Sequence, residues 1–233
     1  MGRQVKGLLY FFVTDMRRQF IIFWSILIAS MLASIIIAYM LLNLESNGLY
    51  FGKSGAMYIF CSIFGFVAVK EGIPFAIKMG ATRKNLFVSV VLLFLGISIL
   101  QAVFANTLHT VVIWMFDQLS ITTFNFVHPA QLLTDTWLSR VVIDTTVMFF
   151  LLSVMYVFGL IFYRTGLIGG GSVAGAALIL AMAGVAQGWL ADFFIELAQS
   201  FDMVFFYQIF AAGIIVYGFS WLFIRNITTV KVR

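Results

Sequence analysis

NLFVSVVLLFLGISILQAVFANTLHTVVIWMF, residues 85–116, runs for 32 residues without one Asp, Glu, Lys or Arg. An α-helix rises about 1.5 Å per residue, so about 20 apolar residues cross a hydrocarbon core of roughly 30 Å. In lipid a segment must satisfy its own backbone hydrogen bonds, and a helix does so. Uncharged stretches recur at 19–44, 54–69, 145–163, 165–191 and 203–224. Cutting the chain at its charges predicts an all-α integral membrane protein with six transmembrane helices, at about residues 20–44, 52–70, 83–112, 141–163, 166–188 and 203–225. The third stretch is longer than a bilayer, so its helix tilts or projects. The stretch 118–134 is uncharged too, but Gln118, Ser120, Thr122, Thr123, Asn125, His128 and Pro129 mark it as a polar loop.

Composition agrees. The chain has 233 residues, 63% hydrophobic and 10% charged, and a mean hydropathy of +1.07. A soluble domain carries about 25% charged residues. Cytosolic enzymes, disulfide-stapled secreted domains and disordered chains are thereby excluded. A single cysteine, Cys61, allows neither an internal disulfide nor a Cys-rich metal site. The net charge of +5 does not call for nucleic acid, because in a membrane protein the placement of charge matters more than its sum.

That placement sets the expected orientation. Arg3, Lys6, Arg17 and Arg18 precede the first span; Lys70, Lys78, Arg83 and Lys84 lie between the second and third. Arg164 separates the fourth from the fifth, and Arg225, Lys231 and Arg233 follow the sixth. Only Lys53 and Arg140 fall on the other side, together with Glu45, Asp117, Asp135, Asp192, Glu196 and Asp202. By the positive-inside rule both termini are cytoplasmic. No cleavable signal peptide is expected, since a long amphipathic segment precedes the first span.

The loops are too short for a catalytic or receptor domain. Residues 166–175, GLIGGGSVAG, lack the Lys-Ser/Thr ending of a phosphate-binding loop and open an apolar span. Their small residues, Gly171 and Gly175 among them, are expected to let another helix approach closely. His109 and Asp144, near the outer ends of spans three and four, form a conceivable proton-relay pair, with interfacial residues reaching water as the plainer reading. No catalytic set, cofactor site or metal site is expected, so the chain is read as a non-enzyme.

The cytoplasmic face carries more information. In residues 3–19, Val5, Leu8, Leu9, Phe12, Val13 and Met16 follow helical spacing, with Arg3, Lys6, Arg17 and Arg18 on other faces. This predicts an amphipathic interfacial helix, which also serves as a basic topogenic anchor. The segment 70–85, KEGIPFAIKMGATRKN, is the most specific. Pro74 suits a first helical turn, Gly80 a left-handed stop, and Thr82 an N-cap for span three. A short helix over 71–82, exposing Phe75, Ile77 and Lys78, is expected; an ordinary structured connector also fits.

Glu71, Pro74 and the run Met79-Gly80-Ala81-Thr82-Arg83-Lys84 resemble the loop between the second and third spans in permease subunits of type-2 ABC transporters, bacterial ABC exporters among them. The resemblance extends over the whole chain as an amphipathic amino-terminal helix, six spans and no large domain. It implies that 71–82 is a coupling helix docking on a separate ATPase subunit, with contacts at Glu71, Pro74, Phe75, Lys78, Gly80, Arg83 and Lys84. It implies that 3–19 is a connecting helix and that 189–202 is an extracellular re-entrant element. Two ATPase copies would bind ATP and magnesium, and the permease would form a homodimer or heterodimer surrounded by membrane lipid, without nucleic acid. The expected function is export of an apolar or amphipathic cargo (peptide, lipid or antibiotic) across a bacterial cytoplasmic membrane. The competing readings are a proton-coupled secondary transporter or channel and a non-transporting membrane scaffold or sensor.

Overall fold

A computed structural model describes residues 2–40, 49–119, 124–199 and 201–225. Glu45, Ser120, Thr122, Thr123, Lys231 and Arg233 lie outside the described residues. The helices are α1 (Gly2–Met40), α2 (Lys53–Lys78), α3 (Arg83–Leu119), α4 (Trp137–Ala186), α5 (Trp189–Gln199) and α6 (Met203–Ile224). Five of these, all but α5, are long and apolar enough to cross a membrane, which matches the all-α membrane class. A small feature is added to it. β1 (Leu49–Phe51) pairs in parallel with β2 (Phe124–Phe126), in the register Leu49 to Phe124 and Phe51 to Phe126.

Two expected boundaries are corrected. There is no break near residue 19 between an interfacial helix and a first span. α1 is one helix of 39 residues, about 58 Å long. Residues 15–20, DMRRQF, contain no Pro or Gly to interrupt it. Nor is 71–82 a separate helix: α2 runs on through Pro74 to Lys78. Proline removes one backbone donor, and the helix absorbs that loss close to its end. The predicted stop does hold. Gly80 has φ +63°, the Ala81 amide donates to the Ala76 carbonyl and the Gly80 amide to that of Ile77, a Schellman ending. The Thr82 hydroxyl then accepts from the Asn85 amide at 3.3 Å and caps α3.

α4 is bent by Gly166, whose φ of 70° and ψ of −169° are not helical. It therefore consists of two arms, 137–165 and 167–186, that meet where the sequence changes from Arg164 to glycine. The first arm is the centre of the fold, packing on α2, α3 and α6. Glycines let these helices close up. A Cβ at Gly65 would sit 2.5 Å from the Leu152 carbonyl oxygen, one at Gly159 2.9 Å from Val69, and one at Gly213 3.1 Å from Phe149. Phe64, Phe94, Phe149 and Tyr156 fill the space between. At Gly171 and Gly175, where close helix approach was expected, nothing among the described residues lies within 4 Å of a built Cβ. The second arm is almost wholly exposed, with Leu167 and Ile168 more than 80% so.

Candidate functional site

Most of the basic residues gather at one end of the bundle, where α2 turns into α3. Two elements clamp this turn. Phe11 of α1 stacks on Phe75, ring centroids 3.4 Å apart and planes 6° apart, and Phe12 covers Gly72. The Asn85 side-chain amide Nδ2 donates to Gln4 Oε1, and the Arg83 guanidinium donates to the Arg225 carbonyl just past α6. Phe75 is thus half-buried against α1, which corrects the expectation of an exposed aromatic plug. Its ring finds apolar cover because the continuous α1 lies alongside α2. What projects at the tip is Lys78, Met79 (54% exposed), Thr82, Arg83 and Lys84. Pro74 is half-buried, and so is Glu71, whose carboxyl lies beside Asp15 of α1. Arg3, Lys6, Arg17 and Arg18 are exposed on α1.

The opposite end holds a buried polar cluster. Lys53, at the first position of α2, is 3% exposed, and its Nζ donates to Asn106 Oδ1 at 2.9 Å. Asn106 Nδ2 in turn donates to Asp144 Oδ2 at 2.7 Å, so one amide bridges the buried cation and the buried anion. The Tyr58 hydroxyl donates to Asp144 Oδ1 at 2.7 Å. His128 Nε2 lies 3.2 Å from that same oxygen without completing a hydrogen bond. His128 Nδ1 accepts from the Ala130 amide, so in the neutral ring Nε2 carries the proton and faces the carboxylate. Charges so far from water persist only when paired and hydrogen-bonded. Here α2, α3, α4 and the loop after β2 each supply a member, so the cluster latches this end shut.

Asp144 is therefore hydrogen-bonded by Tyr58 and Asn106, with His128 beside it, and both Asp144 and His109 are fully buried, which corrects the pairing with His109 and equally the plainer expectation that the two reach water. The His109 ring instead packs on Phe126, centroids 4.2 Å apart, and neither of its nitrogens has a hydrogen-bond partner among the described residues. Arg140, the other basic residue at this end, makes a two-pronged ion pair with Asp135. The guanidinium holds the Asp135 carboxyl below the usual carboxylate range.

Between the two ends lies a cleft. A cavity of about 560 Å³ is bounded by α1, α2 and α3 and lined by Phe12, Phe20, Trp24, Leu93, Ile97 and Phe104, with Arg17 and Gln101 its polar members. The Trp24 and Phe104 rings, 4.5 Å apart and edge to face, meet at its far end.

Lys53, Asn106, Tyr58, His128 and Gln101 were not singled out as site residues on sequence grounds. Signals for some of them were present. Lys53 and Arg140 are the two basic residues that break the charge asymmetry. Gln101, Asn106 and His109 fall on one side of a helix inside an uncharged stretch, and they line the buried face of α3 with Ala102 and Ala105. Comparisons with family profiles, curated proteins and solved structures gave no match.

Proposed function

We propose that the chain is the membrane-spanning permease subunit of a type-2 ABC exporter, moving an apolar or amphipathic cargo when driven by a separate ATPase. On this reading α1, α2, α3, both arms of α4 and α6 make six crossings, and the basic end with both termini faces the cytoplasm of a bacterial cell. Assembly is as a dimer over two ATPase subunits, which hold the ATP and magnesium; no chemistry occurs in this chain. The helix Trp189–Gln199 is then the short element before the last span, on the outer side.

The observation that carries the reading is the construction of the α2–α3 turn. A docking tip is useful only if a push on it reaches the transport path. This tip is stopped by Gly80, capped by Thr82, and tied to α1 through Phe11 and Phe75 and to the end of α6 through Arg83. α1 is also one wall of the cleft. A displacement of the tip is therefore passed to α1 and so to the cleft wall. The resemblance around Glu71, Pro74 and Gly80 points to the same partner. Contact now falls to Lys78, Met79 and Lys84, with Phe75 transmitting force inside the clamp.

The test is co-purification of a P-loop ATPase with the chain from native membranes. Lys78→Glu and Met79→Asp should each lower co-purification and chain-stimulated hydrolysis by roughly tenfold, with membrane insertion unchanged. Wild-type association in both variants removes the assignment. A second reading, a proton-coupled transporter, is favoured by the buried Lys53–Asn106–Asp144 chain. Uptake into ATP-free vesicles driven by a pH gradient and abolished by Asp144→Asn would select it.

A further inference from the structure

From the cleft along α1 we infer a binding site for an anionic acyl lipid, with the chain inside the cleft and the acidic head on Arg17. The inference rests on an apolar groove, charge and one unsatisfied group. The volume of about 560 Å³ lies within the range of cavities that hold small ligands. From Arg17 to Trp24 the cleft follows seven steps along α1, roughly 10 Å. That takes in the upper part of an acyl chain within one leaflet of a hydrocarbon core of roughly 30 Å. Its walls are aromatic and aliphatic, and the Trp24–Phe104 contact closes the end away from Arg17.

Arg17 is the charged residue among those lining the cleft, and no acidic side chain joins it there. It is exposed, and it makes no ion pair with the described residues. A guanidinium fork matches a phosphate or carboxylate, and it sits at the end of the bundle where the other basic residues gather. Gln101 supplies the unsatisfied group. It lines the same cleft and is 3% exposed, yet its Nε2 has no hydrogen-bond partner, while the Cys61 thiol donates to its Oε1 at 3.8 Å. A buried donor without an acceptor is expensive, and an ester oxygen carried into the cleft satisfies it. A neutral hydrocarbon would leave Gln101 Nε2 without a partner and make no use of the charge on Arg17. Only the naming of this lipid as the class of cargo rests on the permease reading; the binding itself does not.

Bromine quenching of tryptophan tests the site. The purified full chain is placed in phosphatidylcholine vesicles with increasing fractions of acyl-brominated phosphatidylglycerol, or of acyl-brominated phosphatidylcholine as the control. The chain has five tryptophans, so the difference between wild type and Trp24→Phe isolates Trp24. That part of the quenching should half-saturate at about fivefold lower fraction for the anionic lipid, the effect of one basic residue beside an acidic head group. Arg17→Gln should erase the preference while retaining quenching by both lipids. Gln101→Leu should raise the half-saturating fraction without altering the preference, and thermal unfolding of each variant reports the integrity of the fold. Equal quenching by the two lipids in wild type, a preference that survives Arg17→Gln, or quenching unchanged by Trp24→Phe overturns the site. ATPase coupling tested at Lys78 and Met79, which do not line the cleft, is read separately. Coupling without the lipid preference keeps the permease and removes this cargo. Lipid preference without an ATPase partner keeps the site and removes the permease.

Discussion

Replacing Asp144 by Asn isolates the charge at the centre of the buried cluster, since the side chain keeps its shape and can still meet Tyr58 and Asn106. The wild-type carboxylate accepts one hydrogen bond on each oxygen, at 2.7 Å in both cases. Bonds to a charged acceptor are worth about 1 kcal/mol more than neutral ones, so the two account for about 2 kcal/mol. The larger effect is on Lys53, which is 3% exposed and would be left as a buried cation without its counter-charge. Breaking a buried pair from one side costs about 3–5 kcal/mol in total. For a chain of this size that lowers the unfolding midpoint on the order of 10 °C. The assay is thermal unfolding of the purified protein in detergent, followed by intrinsic fluorescence. A second variant makes the reasoning refutable. Adding Lys53→Met removes the stranded cation, and apolar replacement of a buried pair is often close to neutral, so most of the loss should return. An Asp144→Asn midpoint within about 3 °C of wild type, or a double variant no better than the single, would show that the cluster is not held by charge.

Gly65→Val should lower stability by about 1–3 kcal/mol, because its Cβ would meet the Leu152 backbone at 2.5 Å. Gly175→Ala, with open space around it, should change the same unfolding midpoint by less than a third as much. The depressed Asp135 carboxyl makes its pairing with Arg140 stabilising above the usual carboxylate pKa, and that contribution is lost as pH falls through the lower folded value. The acid limb of the stability–pH curve should therefore flatten in Asp135→Asn, while the same curve near neutral pH moves only slightly, given the partial exposure of the pair. For orientation, a cysteine at exposed Leu132 in a Cys61→Ser background should react with an impermeant thiol reagent added to intact cells. One at Thr82 should not, and labelling at Thr82 alone would invert the assignment of the basic end.

The sequence by itself determined the class and the punctuation of this protein. A charge content of 10% and the uncharged stretch from Asn85 to Phe116 require a membrane and helices within it, because backbone satisfaction in lipid is a local matter. Gly80 and Thr82 were legible as stop and cap for the same reason: each acts on bonds within a few residues of itself. What the tertiary structure decided depends on which faces meet. α1 is continuous, so Phe75 is covered by Phe11. Gly65, Gly159 and Gly213 carry the close approaches in place of the conspicuous Gly171 and Gly175. Asp144 meets His128 from a loop read as merely polar and, through Asn106, is linked to Lys53 from the wrong side of a charge count. A partner 38 or 53 residues away leaves no periodicity in the chain. Only the packing of α2, α3 and α4 brings such groups within hydrogen-bond reach, and only that packing leaves the cleft between α1 and α3 open.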